Sequence, residues 1–227
     1  MTPTEEPGPD GAGPDVTGRD ATGTGASMWA DVAPGASRRL LLSAVDSFAE
    51  LGYHGTSTRH IAAGAGMSAG ALYVHYRTKA DLLFQIALTV HESVLAALGQ
   101  ALADAAGPGH GPRVRALIYA FARWHARHHL AARVIQNELG ALGPEHAAEI
   151  AGLRRTVRAL IRDEVRAGAA AGEFDVADVE GTARALASLA IDVCRWYRPE
   201  GPRTPDEIGA LYAHLALRML QGSDAGR

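Results

Sequence analysis

The sequence predicts an all-α chain of about nine helices: a three-helix N-terminal unit with a helix-turn-helix, then a larger helical unit. Three observations carry that prediction. Apolar residues recur at spacings of three and four over most of the chain beyond residue 34. No strand-like alternation lasts more than a few residues, and Gly, Pro, Ser and Thr fall where helices should begin and end. At 227 residues, with 47% hydrophobic and 21% charged side chains, such a chain can bury a sizeable core without metal or disulfide staples.

Residues 1–34 are expected to be a disordered tail. Pro3, Pro7, Pro9, Pro14 and Pro34 interrupt it, and it is strongly acidic. Such a composition buries too little apolar surface to offset the entropy of ordering. Residues 222–227 are read as a second, short tail. Residues 35–80 form the small unit and 81–221 the large one. The small unit is basic: over 37–80, Arg38, Arg39, Arg59, Arg77 and Lys79 face only Asp46 and Glu50, a net of +3. A local basic balance of this kind suits a polyanionic partner.

The first helix should run from about Ser37 to Leu51, with Leu40, Leu41, Ala44, Val45 and Phe48 on one stripe and Gly52 as its stop. Thr56, Ser57 and Thr58 offer an N-cap for a short second helix through Ala65. Gly66 turns the chain, and Ser68 caps a third helix to about Tyr76. The fourth, opened by a capping box at Thr78 and Asp81, should reach Ala106. Pro112 opens a fifth to about His128, and a kink near His129 leads into a sixth ending around Leu139–Gly143. Pro144 starts a seventh through Ala171, Asp175 caps an eighth to about Tyr197, and Thr204 with Glu207 boxes the ninth, to Gln221.

Gly52-Tyr53-His54-Gly55-Thr56-Ser57-Thr58-Arg59-His60-Ile61-Ala62, then Ala65 through Tyr76, then Thr78-Lys79-Ala80-Asp81-Leu82-Leu83, resembles the DNA-binding domain of the TetR family of one-component repressors. Thr58 stands where that family usually has an apolar residue, and His60 is atypical. The resemblance implies a homodimer on a palindromic double-stranded operator, with the third helix in the major groove. Residue by residue, it implies Arg59 as a base reader, since arginine pairs bidentately with guanine. Ser68, Ala69, Gly70, Ala71 and Val74 lie on the helix facing the groove. Thr56, Ser57, Tyr73, His75 and Lys79 match phosphate-contacting positions. The alternative for Arg59 is a solvated surface residue.

For residues 81–221 the resemblance implies ligand binding and dimerisation, with the last two helices forming the interface. Arg195-Trp196-Tyr197-Arg198-Pro199-Glu200-Gly201-Pro202 with Thr204 to Glu207 is similar to a TetR subgroup that includes repressors of lipid and steroid catabolism answering to CoA thioesters. Gln136-Asn137-Glu138 and the run from Gly168 to Phe174 are loosely similar to it too. The effector is therefore expected to be a small hydrophobic molecule, with acyl-CoA as a candidate. An efflux or secondary-metabolism regulator answering another hydrophobic molecule, and a DNA-binding protein without a ligand, are the alternatives.

Phe121, Trp124, His125, Ile135, Asn137, Ile191 and Trp196 are candidate pocket residues. Arg154, Arg155, Arg158, Arg162, Arg166 and Arg195 are candidate phosphate cations, with Arg158, Arg162 and Arg195 assigned to the site. The row Arg154, Arg155, Arg158, Arg162, Arg166 equally suits a solvated helix face.

Other chemistries find little support. Cys194 stands alone, so no intramolecular disulfide can form, and it reads as a buried small hydrophobe. His125, His128 and His129 lack the Cys or carboxylate partners of a metal site, and no metal or cofactor is expected. Neither a phosphate loop nor a nucleophile elbow is present, so no catalytic residues are assigned. No apolar run approaches 18 residues and no signal-peptide pattern opens the chain, so a cytoplasmic protein without membrane contact is expected.

Overall fold

The computed structural model describes residues 28, 29 and 35–221; among these it contains nine longer α-helices and no strand. α1 spans Ala36–Gly55, α2 Thr58–Gly64, α3 Ala69–His75, α4 Lys79–Asp104 and α5 Gly111–Arg127. α6 spans His129–Glu138, with a 3₁₀ turn at Leu139–Ala141, followed by α7 Pro144–Ala170, α8 Val179–Trp196 and α9 Pro205–Leu220.

Local chemistry sets most boundaries. At Gly52 the backbone of α1 leaves helical geometry with φ of 71°, a conformation glycine adopts without steric cost. Ser57 and Ser68 cap α2 and α3 by accepting from the backbone N–H of His60 and Ala71. Both capping boxes are formed, Thr78 with Asp81 and Thr204 with Glu207. One expected cap shifts: Asp178, not Asp175, caps α8, accepting from Gly181 N at 2.9 Å. Asp175 instead donates its N–H to the Leu220 carbonyl at 2.9 Å and ties down the end of α9.

The tail expected over residues 1–34 is corrected at two positions. Met28 and Trp29 are helical and buried, 8% and 2% exposed, as part of the core. Two large apolar side chains gain enough from burial to offset local ordering. The rest of that segment, and residues 222–227, lie outside the described residues.

In the head, Leu40, Leu41 and Phe48 of α1 pack with Ile61 and Ala62 of α2 and Leu72 of α3. Ser43 donates its hydroxyl to the Ile61 carbonyl at 2.8 Å, and Gly64 permits the approach, because a Cβ there would lie 2.4 Å from Ser43 Oγ. In the body, α9 packs along α5, while α4 packs on α5 and α7. Among the described residues, only α4 is long and apolar enough to cross a membrane, and half of its most apolar stretch is buried inside the protein. The head meets the body where α1 packs on α6 and α4.

Candidate DNA-binding face and effector cavity

α2 and α3 are joined by a tight turn. Ala65 and Gly66 donate to the carbonyls of Ile61 and Ala63, Met67 donates to Ala62 O at 2.8 Å, and Gly66 takes φ of 67°. This fixes α3 against α2 through buried Leu72 and turns its other face outward. Val74 is 81% exposed and Tyr73 is 53% exposed. Ser57, Arg59, Ser68, Gly70 and His75 are exposed beside them, with Ala69 and Ala71 half-buried. The Tyr73 hydroxyl lies 3.0 Å from Thr58 Oγ, which links the two helices on that face. The hydroxyl at Thr58, in place of an apolar side chain, is thus used.

Two expected phosphate contacts are differently placed. Thr56 is 2% exposed, and its hydroxyl donates to the carbonyls of Ser47 and Gly52 at 3.0 and 2.8 Å. Its side chain closes the bend after α1 and is not free for a phosphate. Lys79 is half-buried and donates to the carbonyls of Tyr53 and Thr56.

The body holds a partly open, apolar cavity of about 40 Å³. α4 lines it with Val90, His91 and Val94, α5 with Phe121 and His125, and α6 with Ala132 and Gln136. Val157, Arg154 and Arg158 of α7 and Ile191 of α8 complete the wall. Arg154, Arg158 and Ile191 also border a groove of about 840 Å³ between α7 and α8, where Arg155, Arg162, Arg184 and one carboxylate, Glu180, lie. Among the described residues, no acidic group lies within ion-pair distance of Arg154, Arg155, Arg158 or Arg184. Burial, and then the neighbouring Arg158 charge, push the Arg154 guanidinium below its usual range. An unbalanced cation pair at the mouth of an apolar cavity suits a ligand that is anionic at one end.

Residues 40–86 match the family model for bacterial regulatory proteins of the tetR family, and residues 110–220 match that for the tetracyclin repressor-like C-terminal domain. The HTH-type transcriptional repressor KstR2 of Rhodococcus jostii (strain RHA1) is 30% identical over 194 residues, covering 83% of this chain and 94% of that protein. The chain belongs to the tetR family. A crystal structure of a tetR-family regulatory protein from Rhodococcus RHA1 is 42% identical with a TM-score of 0.77, covering 85% of this chain and all of that one. AibR, solved with isovaleryl coenzyme A and operator DNA, is alike in fold at 21% identity and a TM-score of 0.71, over 80% of this chain and 97% of that one. As a tetR-family member the chain is a regulatory protein, and the relatives named here are regulators rather than enzymes.

Within this tetR-type body, the cavity gathers four of the expected ligand residues, Phe121, His125, Arg158 and Ile191. Arg162 borders the groove but is bonded to Asp163 at 2.8 Å and lies 3.9 Å from Glu180. The other five stand elsewhere. Trp124 turns toward α4, donating from Nε1 to Ser93 Oγ at 3.0 Å, and Ile135 is fully buried in the core. Asn137 is exposed, one residue past Gln136, which does reach the cavity. Arg195 is exposed beside Asp192 at 3.5 Å, and Trp196, 45% exposed, stacks on Tyr212.

His91, Val90, Val94, Ala132 and Val157 were not singled out by the sequence, although the three-and-four spacing of Val90, His91 and Val94 does put them on one face, and Gln136 entered only through the Gln136-Asn137-Glu138 resemblance. Arg154 and Arg155, candidate cations in the sequence, are brought to the cavity and the groove respectively. His125, His128 and His129 do not converge: Nδ1 of His125 and His129 bond the carbonyls of Phe121 and Ala126, while His128 packs on Trp124. Cys194 is fully buried, and burial pushes its thiol up to about 11, so it is not a thiolate near neutrality.

Proposed function

We propose that this chain is a dimeric operator-binding repressor, released from DNA by an effector with an anionic head and an apolar body, of the acyl-CoA type. One observation carries the effector reading: the apolar cavity shares Arg154 and Arg158, which lack acidic partners among the described residues, with an arginine-rich groove. Phosphates suit the groove arginines, and an acyl chain suits the walls of Val90, Val94, Phe121 and Val157. The repressor activity of KstR2 and the isovaleryl coenzyme A in AibR are consistent with this reading.

The DNA face is made of Ser57, Arg59, Ser68, Ala69, Gly70, Ala71, Tyr73, Val74 and His75. Two such heads, roughly 34–36 Å apart, read successive major grooves of a palindrome. Ala132 and Gln136 connect cavity and head, because α6 lines the one and packs on α1 of the other. A cavity of about 40 Å³ must widen to take an acyl chain, which moves α6 against α1. The effector shifts the balance only by its preference for the wider state.

The test uses an operator selected from random DNA by the purified protein, fluorescently labelled, with short- and long-chain acyl-CoA added. A thioester at micromolar concentration should release the DNA from the native protein, and Arg154→Glu with Arg158→Glu should abolish release while leaving operator affinity unchanged. A complex that persists through the thioester series, or a double variant that still responds, would overturn the effector reading.

A further inference from the structure

We propose that the cavity selects effectors carrying a hydroxyl group on their apolar part, read by the imidazoles of His91 and His125. This rests on the cavity being the effector site, and it adds a requirement the arginines do not impose. The two histidines come from different helices, α4 and α5, and line the same cavity at 7% and 4% exposure. His91 Nδ1 lies 2.7 Å from the Ala87 carbonyl oxygen, and His125 Nδ1 lies 2.9 Å from that of Phe121. A carbonyl oxygen can only accept, so each Nδ1 carries the hydrogen and donates it backward along its own helix.

Both rings are held neutral. Burial is the largest cause, pushing His125 down to about 4 and lowering His91; the backbone bonds act in the opposite direction. Arg154 lowers His91 further, and the charges of His91 and His128 lower His125. A neutral imidazole with its hydrogen on Nδ1 leaves Nε2 as a bare acceptor. Among the described residues, neither Nε2 has a hydrogen-bond partner. Two acceptors without a protein partner therefore belong to residues that line the apolar wall, and a ligand that shuts water away from them without bonding them incurs the cost of an unmatched polar group.

A purely alkyl ligand would seal both acceptors away from water, and a ketone, which can accept from Gln136, still has no hydrogen to give to either ring. A hydroxyl donates to one ring and leaves its oxygen to accept from an amide donor such as that of Gln136, a residue of the same lining. A site built to bond a hydroxyl discriminates strongly against the analogue without it.

The test uses the full chain, labelled with ¹⁵N in its histidines, and two probes that differ only in the donor, cyclohexanol and cyclohexanone. Near neutrality both imidazoles should show a protonated Nδ1 and a bare Nε2, with signals assigned by His91→Phe and His125→Phe. Cyclohexanol should bind at least fivefold more tightly than cyclohexanone and move an Nε2 resonance; His125→Phe should shrink that preference while still binding the ketone. A hydrogen on Nε2 of either ring, equal binding of the two probes, or no binding of either would overturn the proposal. Neither probe carries an anion, so these outcomes are independent of whether a thioester releases the operator.

Discussion

The Lys79 ammonium lies 4.2 Å from the centre of the Tyr53 ring and donates to the Tyr53 carbonyl at 2.6 Å. A second bond, 2.7 Å to the Thr56 carbonyl, completes a clamp between the start of α4 and the bend that ends α1. A cation at a helix C-terminus is favourably placed, and the aromatic face adds to it. The sequence motif gives this lysine a phosphate role, and any phosphate must share the ammonium with these carbonyls.

Lys79→Met therefore has two expected effects. Loss of charged hydrogen bonds should lower stability by about 1–2 kcal/mol in urea unfolding, and operator and random DNA should weaken alike. Arg59→Ala is the contrast, since Arg59 is exposed with no ion-pair partner among the described residues. It should leave unfolding unchanged and cost about 1–3 kcal/mol at one operator position. Competition binding against single-base operator variants measures this, and equal losses on all sequences would remove its role as a reader.

Stability should fall as the pH drops below the ordinary histidine range. His125 and His128 are both lowered from 6.5 to about 4, mainly by burial. The unfolded chain then binds protons that the folded one refuses, so the stabilisation is full above about 6.5 and is lost progressively toward about 4. Urea midpoints at pH 7, 6 and 5 should decline steadily, and His128→Phe should flatten that decline.

Gly168 should be intolerant of even a methyl group. A Cβ there would lie 2.1 Å from a Phe174 ring carbon, and the Gly168 carbonyl accepts from the N–H groups of Glu173 and Phe174 at 2.9 and 3.3 Å. Glu173 in turn accepts from His110 N and Gly111 N at the start of α5, so displacing Phe174 loosens that cap as well. Overpacking of this kind costs about 1–3 kcal/mol, more than alanine's helical advantage of about 1 kcal/mol returns. Urea unfolding of Gly168→Ala checks the sign.

Features that depend on a few adjacent residues were readable in advance. Gly52, the serine caps and both capping boxes act within four positions, and they stand where the sequence implies. What failed depends on the direction of a side chain after packing. Thr56 has the chemistry of a phosphate donor, yet the bend after α1 turns it inward. Asn137 and Gln136 differ by one residue, about 100° around α6, and only tertiary contact decides which meets the cavity. His91 is embedded in the apolar run of α4, where nothing local marks a histidine as lining a cavity rather than filling the core.

The last two helices carry large apolar side chains that the described residues leave exposed. Ala183, Leu186, Ala187 and Ala190 of α8, with Ile208, Ala213 and Ala216 of α9, turn inward to the core. Leu189, Trp196, Leu215 and Met219 remain between 41% and 45% exposed on the same two helices. Large apolar side chains clustered this way mark an association surface, here the proposed dimer interface. Leu215→Glu tests it cleanly, because the residue is exposed within one chain and its loss should cost folding little. In a twofold dimer the change adds a carboxylate from each copy, which should shift sedimentation from dimer to monomer at micromolar concentration. Operator binding should fall steeply with it, since two linked heads gain from effective concentration and single heads do not. An undisturbed dimer would place the interface on another surface, and a monomer that kept full operator affinity would overturn the paired-head mechanism.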